Sequence, residues 1–294
     1  MAKNSLVNLF VSHDSGGANI LSSVANKKDK FCISGPAKKI FKSKIGLYKN
    51  KKKNFKKVFF KNAKLISGTS LESSHEKKIL YYAIKNKIPN MVWLDHWQNL
   101  KKRFEYKSQV LRPDQINVID QLTYEKATKF FYSKTKTKTI IKIAKNPYFL
   151  YLKKNLQFWK KIKKKDNTLY LCGLMKKIEG NRDVLIERKC FKKFISRFKK
   201  IQNRPPLIVR LHPGENIKEF NLLFHLDDKI KISDKIDLAK DLHWAENIIG
   251  ANSSALFYAS KICKNFIYSS LINKKKNIHK IKTNNIKNYF NKFI

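Results

Sequence analysis

Short apolar segments alternate with amphipathic helical segments along the whole chain, and this alternation is the feature that most constrains the fold. Residues 63–67 and 90–94 are apolar runs of strand length, and residues 72–87 between them have the spacing of a helix. Strands that alternate with helices predict a parallel sheet with helices on its faces. Ligands of such sheets bind beyond the carboxyl ends of the strands, so we expect functional residues in the loops there.

The same alternation occurs in both halves of the chain, and 294 residues are enough for two domains. The Asn146-Pro147 pair follows the last predicted strand of the first half, which places the boundary near residue 150. We therefore predict an α/β fold of two Rossmann-like, doubly wound domains, 1–150 and 151–294, whose parallel sheets face each other across a cleft. The tail at 274–294 is predicted to be helical and to pack across the first domain.

The charge of the chain is strongly unbalanced, with 65 basic and 21 acidic residues and a net charge of +44. Only seven of the basic residues are Arg, whereas Arg is preferred where bases or phosphates are bound in a bidentate manner. Lys spread evenly over helix surfaces is best explained as a solvated surface, and the absence of an Arg-rich stripe argues against specific nucleic-acid binding. Acidic partners such as phosphorylated substrates or an anionic membrane surface stay open as an alternative.

The cysteines have no spacing typical of a metal site or a disulfide framework, so we expect no metal and a reducing, cytoplasmic compartment. The N-terminus enters a five-residue apolar strand that is too short for a signal sequence, and no segment has the length of a membrane span. A cytoplasmic protein is expected, with peripheral contact to the inner face of the membrane as an alternative. No cofactor is predicted.

The loop after the first predicted strand carries adjacent glycines, Gly16 and Gly17, which let backbone approach a ligand closely, with Asn19 just beyond them. It lacks the dinucleotide-binding GxGxxG pattern, and a tight strand-to-helix turn is the structural alternative. His13 and Asp14 place two titratable groups at the carboxyl end of a strand, where such folds bind and react.

A second acid–histidine pair, Asp95 and His96, follows the strand at 90–94 and is flanked by tryptophans that could form a wall for a sugar or a base. Asp95 is the leading candidate for a general base, with His13 or Asp14 as the competitor. Thr69 and Glu72 open the helix before that strand and could contact a sugar hydroxyl, although capping of the helix is the simpler interpretation.

Two polar loops of the second half suit a phosphate. Arg210, His212 and Glu215 lie at the end of the strand at 207–211, and a histidine there could neutralise a phosphate and titrate near neutral pH. The helix predicted from residue 255 opens with hydroxyl and amide groups at its positive end, a good position for a diphosphate. These residues are Asn252, Ser253 and Ser254.

The order of these motifs resembles that of the GT-B glycosyltransferase and UDP-N-acetylglucosamine 2-epimerase superfamily over nearly the whole chain. The motifs are the double-glycine loop, the turn at 68–70, Asp95-His96-Trp97, Asn146-Pro147, His212-Pro213 and Ser253-Ser254. The last two are similar to pairs in bacterial capsule polysaccharide transferases, including polysialyltransferases, where they bind the phosphate of the sugar nucleotide. The resemblance implies that the second domain binds the donor and the first binds the acceptor.

The preferred hypothesis is a metal-independent bacterial glycosyltransferase of surface polysaccharide synthesis, with a nucleotide sugar as donor and a glycan or lipid-linked acceptor. His212, Ser253 and Ser254 would hold the donor, and Asp95 or His13 would deprotonate the acceptor. A UDP-sugar 2-epimerase, which needs no acceptor, is the alternative enzyme. The acidic pair followed by glycine of those transferases has no match here, which keeps open a catalytically silent module that binds sugar nucleotides or anionic surfaces.

Overall fold

A computed structural model describes most of the chain in two compact units, Met1–Tyr151 and Leu152–Ile294. The described residues are 7–46, 55–59, 63–132, 139–158, 167–175, 182–224, 226, 230–251, 253–263, 266–270 and 283–291.

The first unit contains, among its described residues, a six-stranded parallel sheet in the order β2-β1-β3-β4-β7-β8 and a short antiparallel hairpin of β5 and β6. The strands are β1 (Val7–Ser12), β2 (Lys30–Ile33), β3 (Ala63–Ser67), β4 (Asn90–Leu94), β5 (Glu105–Tyr106), β6 (Gln109–Val110), β7 (Gln115–Val118) and β8 (Ile140–Ile143). The chain moves outward from β1 to β2 and then returns to place β3 on the other side of β1. This reversal is the topological switch point of the sheet.

Helices connect and cover these strands, as the alternation of the sequence predicts. They are α1 (Ser15–Leu21), α2 (Ala37–Ile45), α3 (Phe55–Phe59), α4 (His75–Lys85), α5 (Leu100–Phe104), α6 (Gln121–Tyr132) and α7 (Pro147–Phe158). The inner strands are buried on both faces, which explains their nearly continuous apolar sequences. In α4, Ile79, Leu80 and Ala83 lie on one face and pack into the core of the unit.

Lys44, at the end of α2, connects three helices of the first unit. Its ammonium lies 4.3 Å from the ring centroid of Tyr148 and 4.2 Å from that of Tyr151, and the two rings of α7 are stacked. The same Nζ donates to the carbonyl oxygen of Asn19 and to Oγ of Ser23, both at 3.2 Å. Cation–π and hydrogen-bond contacts of one ammonium therefore fix the start of α7 against α1 and α2.

The second unit contains, within its described ranges, a six-stranded parallel sheet in the order β11-β10-β9-β12-β13-β14. Its strands are β9 (Thr168–Leu171), β10 (Leu207–Arg210), β11 (Ile230–Ile232), β12 (Asn247–Gly250), β13 (Phe266–Ser269) and β14 (Asn284–Asn285). Its helices are α8 (Arg182–Phe198), α9 (Ile217–Phe224), α10 (Leu238–Trp244), α11 (Ser254–Ile262) and α12 (Ile286–Phe290). This order is that of a dinucleotide-binding Rossmann sheet, with its switch point between β9 and β12.

Two details of the predicted organisation can be compared with the structure. Pro147 is the first residue of α7, where a proline is tolerated, and the division between the two units follows Tyr151, close to the boundary predicted near residue 150. The predicted tail helix is preceded by strand β14, and Tyr289 and Phe290 of α12 pack into the core of the second unit. The start of that tail, up to residue 282, lies outside the described residues. None of the described helices has the length and apolar character that a membrane crossing requires.

Candidate functional site

The carboxyl ends of β1 and β3 meet at the switch point of the first sheet, and two glycines allow this contact. A Cβ atom on Gly17 would lie 3.2 Å from Cα of Gly68, and a Cβ atom on Gly68 would lie equally close to Gly17. Both positions are buried, so the first turn of α1 and the loop after β3 touch backbone to backbone. With the loop after β4, they form what we call the first-sheet edge.

His13 and Asp14 form a hydrogen-bonded pair at this edge. Nδ1 of His13 lies 2.8 Å from Oδ1 of Asp14, and the backbone N–H of Leu71 donates to Oδ2 at 3.2 Å. An ionised carboxylate only accepts hydrogen bonds, so Nδ1 carries the proton and Nε2 is the basic nitrogen of the neutral ring. Gly35, with φ of +53°, passes so close to the ring that a Cβ atom there would lie 2.5 Å from Nε2.

Asp95 lies over Gly16, next to the first pair. A Cβ atom on Gly16 would come within 1.9 Å of Oδ2 of Asp95, so only glycine leaves room for this carboxylate. Oδ1 of Asp95 accepts a hydrogen bond from Nη1 of Arg103 at 3.0 Å and one from Oγ1 of Thr69 at 3.4 Å. Arg103 also donates to Oγ1 of Thr69 at 2.7 Å and to the carbonyl oxygen of Gln98 at 3.0 Å. The predicted contact residue Thr69 thus belongs to the network that orients the predicted base.

Sequence reasoning missed two residues of this edge, Arg103 and Glu76. The Arg103 and Asp95 side chains are 8% and 18% exposed, so their ion pair is largely shielded from water. Glu76, 2% exposed, accepts the backbone N–H of His13 at 2.6 Å through Oε1, and its Oε2 has no hydrogen-bond partner. Burial raises the pKa of Glu76 to about 7, with a further contribution from the charge of Asp14.

Three further predicted residues of the first unit, His96, Asn19 and Glu72, lie on the loops and helix that carry this group. His96 stacks on Trp97 with ring centroids 5.5 Å apart, and its Nδ1 accepts the backbone N–H of Gln98 at 3.0 Å. Asn19 lies inside α1 and uses its carbonyl oxygen for Lys44 and two serine hydroxyls. Glu72 is exposed and precedes α4.

The second sheet has an equivalent edge at the carboxyl ends of β9, β10 and β12, which we call the second-sheet edge. At its switch point, Gly250 is paired with Leu171, and a Cβ atom on Gly250 would lie 2.8 Å from the carbonyl oxygen of Leu171. The loop after β9 is held by two carboxylates. Glu187 accepts the N–H of Gly173 at 2.9 Å, and Glu215 accepts the N–H of Met175. Glu215, a predicted ligand residue, therefore fixes the path of the loop.

His212 lies in the loop after β10 with a defined tautomer. The backbone N–H of Gly214 donates to its Nδ1 at 3.1 Å. Because a backbone amide can only donate, Nδ1 is unprotonated, and the proton of the neutral ring is on Nε2. His212 is thus oriented as a hydrogen-bond donor through Nε2, which suits an anionic ligand.

The start of α11 shows the capping geometry that was the structural alternative. Oγ of Ser253 accepts the N–H of Ala255 at 3.2 Å, and Ser253 is the N-cap residue. Ser254 is exposed at the first position of the helix. Asn252 lies outside the described residues.

Arg210 makes its hydrogen bonds within the protein. Its guanidinium is ion-paired with the buried Asp241 and donates to the carbonyl oxygens of Lys235 and Ile236, each at 2.8 Å. This arrangement connects β10 to the loop before α10. The predicted role of Arg210 in ligand binding stays a prediction, as do those of the other site residues.

Across the described ranges, no group of three His, Cys, Asp or Glu side chains is arranged to hold a metal ion.

No family model matches the sequence. No curated protein matches it either. Solved structures do match: the UDP-GlcNAc 2-epimerase from Methanocaldococcus jannaschii is 16% identical with a TM-score of 0.55, covering 90% of this chain and 83% of that one. The structure of S. aureus MnaA with UDP is 8% identical with a TM-score of 0.60, covering 90% of this chain and 79% of the other.

At these identities the likeness establishes the fold. The chain has two Rossmann-like α/β units with parallel sheets, which confirms the predicted fold class of two doubly wound domains.

Proposed function

We propose that this protein is an enzyme that binds a nucleotide-activated sugar and transfers the sugar to an acceptor hydroxyl, without a metal ion. The observation that carries this proposal is the cluster of His13, Asp14 and Asp95 at the switch point of a GT-B-type unit. Ligands of doubly wound sheets bind at this point, and the cluster supplies groups that can accept a proton.

The first-sheet edge offers two bases of different kinds. His13 has its Nδ1 proton held by Asp14, which orients Nε2 as a proton acceptor in the way a carboxylate orients a catalytic histidine. Asp95 is fixed by Arg103 through Oδ1, while Oδ2 lies against Gly16. We assign the base to His13 and a role in binding acceptor hydroxyls to Asp95. This assignment reverses the order expected from sequence, because Asp95 already shares its charge with Arg103.

The second-sheet edge would hold the diphosphate of the donor. His212 presents Nε2–H, Ser254 is exposed at the first position of α11, and the partial positive charge of that helix end favours an anion. The hydroxyl of Ser253 still has its proton to donate after it has accepted the capping bond.

The reaction follows from these groups. The acceptor oxygen forms a bond to the anomeric carbon of the sugar, the bond from that carbon to the diphosphate oxygen breaks, and the hydroxyl proton moves to Nε2 of His13. The leaving diphosphate takes the bonding electrons, and donors that are already oriented stabilise its charge. A glycan or lipid-linked acceptor of surface polysaccharide synthesis fits this chemistry, and the net charge of +44 would attract an anionic acceptor or membrane.

A UDP-sugar 2-epimerase is the second candidate, and the fold shared with solved structures named as UDP-GlcNAc 2-epimerase favours it. Such an enzyme would invert the sugar at C2 without an acceptor. The same proton-accepting groups would then act on the sugar itself.

The first experiment is a thermal-shift screen of the purified protein against UDP, CMP, GDP, ADP and their sugars at moderate salt, which suppresses nonspecific binding to lysines. We expect a selective rise in Tm that disappears in His212→Ala and Ser254→Ala. Ser260→Ala, on the same helix but bonded to the carbonyl oxygen of Phe257, is the matched control. Uniform or absent shifts would contradict the proposal and favour a module that binds anionic surfaces.

The second experiment follows the sugar nucleotide by NMR with and without acceptor. Consumption only with acceptor supports transfer, and a new sugar isomer without acceptor supports epimerisation. His13→Gln should lower turnover at least a hundredfold while donor binding persists. Asp120→Asn is the matched control, because Asp120 lies on the same sheet edge and caps α6.

A further inference from the structure

Glu76 is the buried titratable group that the proposed mechanism leaves unused, and it lies directly under the proposed base. It occupies the second position of α4, and its Oε1 accepts the backbone N–H of His13 at 2.6 Å. Its other carboxyl oxygen is buried without a partner. If Glu76 were ionised, the charge on Oε2 would be buried away from water without a hydrogen bond, which is unfavourable. The neutral acid carries no charge and avoids this cost.

We propose that Glu76 is a positioning residue for His13: it holds the loop that carries the His13–Asp14 pair, and it does so in its protonated form. This inference deepens the proposed function and rests on it for the role of His13. Glu76 reaches His13 only through the backbone, so it acts on the geometry of the base and not on the reacting atoms.

The surroundings of Glu76 favour the neutral acid. Burial is the main cause of this preference. The charge of Asp14, the partner of the His13 ring, adds to it and outweighs the charge of His13, whereas hydrogen bonds from the backbone N–H groups of Glu76 and His13 act in the opposite direction. On α4 itself, the ring of His75 contacts the carbonyl oxygen of Cys32, and Lys77 donates to that of Lys102.

The strands that pack against α4 add few charges. Lys64 lies on β3 and Glu105 on β5, while the residues of β4 are uncharged. The charged groups that act on Glu76 are therefore those of the β1 loop. Burial raises its pKa to about 7, within the range in which a cytoplasmic enzyme works.

Ionisation of Glu76 would change the loop. The new charge would repel Asp14 and would need water at Oε2, which is closed to solvent in this structure. The loop would have to open to admit that water, and His13 would move with it. We therefore expect Glu76 to stop holding His13 in position as the pH rises above about 7.

The sign of the stability effect follows from the same shift. The pKa of Glu76 is raised from 4.5 to about 7, so its contribution to folding is fully present below pH 4.5 and is lost as the pH rises to about 7. Glu76→Gln keeps a carbonyl acceptor for the N–H of His13 and cannot ionise. We expect its Tm to match that of the wild type at pH 5 and to exceed it at pH 8.

The deciding experiment is a pH titration of the histidine ring signals by NMR from pH 5.5 to 8.5, with His13 assigned by the loss of its signal in His13→Gln. In the wild type, the His13 signal should show a transition near pH 7 that comes from the ionisation of Glu76. Glu76→Gln should abolish that transition, whereas Glu125→Gln, which changes an exposed carboxylate on α6, should preserve it. Identical His13 titrations in the wild type and Glu76→Gln would overturn the proposal.

A kinetic profile adds a readout that a merely structural role would not change. Turnover of the wild type should fall by about tenfold per pH unit well above pH 7, and Glu76→Gln should keep its rate there. If turnover is found and the alkaline fall persists in Glu76→Gln, the inference about Glu76 fails alone. If no substrate turns over, the proposed function fails, and the NMR titration still decides the role of Glu76.

Discussion

The two sheet edges of this protein occupy equivalent places in their units and are built differently. At the first-sheet edge, side chains hold one another: His13 is bonded to Asp14, and Asp95 to Arg103. At the second-sheet edge, the carboxylate of Glu187 holds a backbone amide instead. The candidate proton acceptors of the first edge are therefore oriented by neighbouring side chains, whereas the loop after β9 at the second edge is held through its backbone amides.

This difference matches the proposed reaction, in which the first-sheet edge accepts a proton and the second-sheet edge binds the diphosphate. A proton acceptor must point in one direction, and a misplacement of about 1 Å can cost a hundredfold in rate. A diphosphate is bound by loops and a helix end, where the backbone must be well placed. Substitutions at the two edges should therefore lower stability or turnover for different reasons.

The largest effect is expected from Arg103→Met at the first-sheet edge. It would leave Asp95 in a largely buried place without its cation, at a cost of about 3 kcal/mol in the free energy of unfolding. Urea denaturation measures this cost.

A double-mutant cycle provides the control for that prediction. Asp95→Asn combined with Arg103→Met should cost less than the sum of the two single changes, because the second change removes the unpaired charge. Additive costs would mean that the two side chains do not support each other.

A smaller effect is expected from Gly250→Ala at the second-sheet edge. The new methyl group would meet the carbonyl oxygen of Leu171 on the adjacent strand, where only a backbone shift can relieve the contact. A cost of about 2 kcal/mol is expected, again from urea denaturation. Unchanged stability would show that this edge does not depend on its backbone path.

The smallest effect on stability is expected from Gly16→Ala, although the new methyl group would come within 1.9 Å of Asp95. The carboxylate it meets must shift and strain its hydrogen bonds to Arg103 and Thr69, although alanine is favoured over glycine inside a helix. The free energy of unfolding should fall by about 1 kcal/mol. Turnover should also fall, and a stable but fully active variant would remove Asp95 from the proposed site.

Much of the fold was predictable from local sequence. The strands β3 and β4 begin and end where the apolar runs at 63–67 and 90–94 predicted, because a buried parallel strand needs a nearly continuous apolar sequence bounded by turns. The C-terminal tail was not predictable in the same way. Its position depends on Tyr289 packing against distant residues such as Tyr268, and such a contact leaves no local pattern.

Some residues of the candidate site were predictable from the sequence, and others were not. His13, Asp14 and Asp95 follow strands, and topology alone brings them to one edge. Glu76 and Arg103 were missed because each lies in a helical segment rich in lysine, where a charged residue normally faces solvent.

The sequence nevertheless contained a pattern that indicates both of the missed residues, Glu76 and Arg103. Glu76 lies on the same helical stripe as Ile79 and Leu80, and Arg103 lies on that of Leu100. A charged residue on an apolar stripe must be paired or neutral when buried. Acids and bases on the apolar stripes of helices are therefore candidate site residues, as are those at the ends of strands.

The ammonium of Lys44 between two tyrosine rings has a practical consequence for dissecting the chain. A fragment that stops at Asn146 would contain every described strand of the first sheet, yet it would lack both rings that hold Lys44. Isolation of the first unit by recombinant expression or limited proteolysis therefore requires the first turns of α7. The shortest fragment that keeps both rings against Lys44 ends at Tyr151.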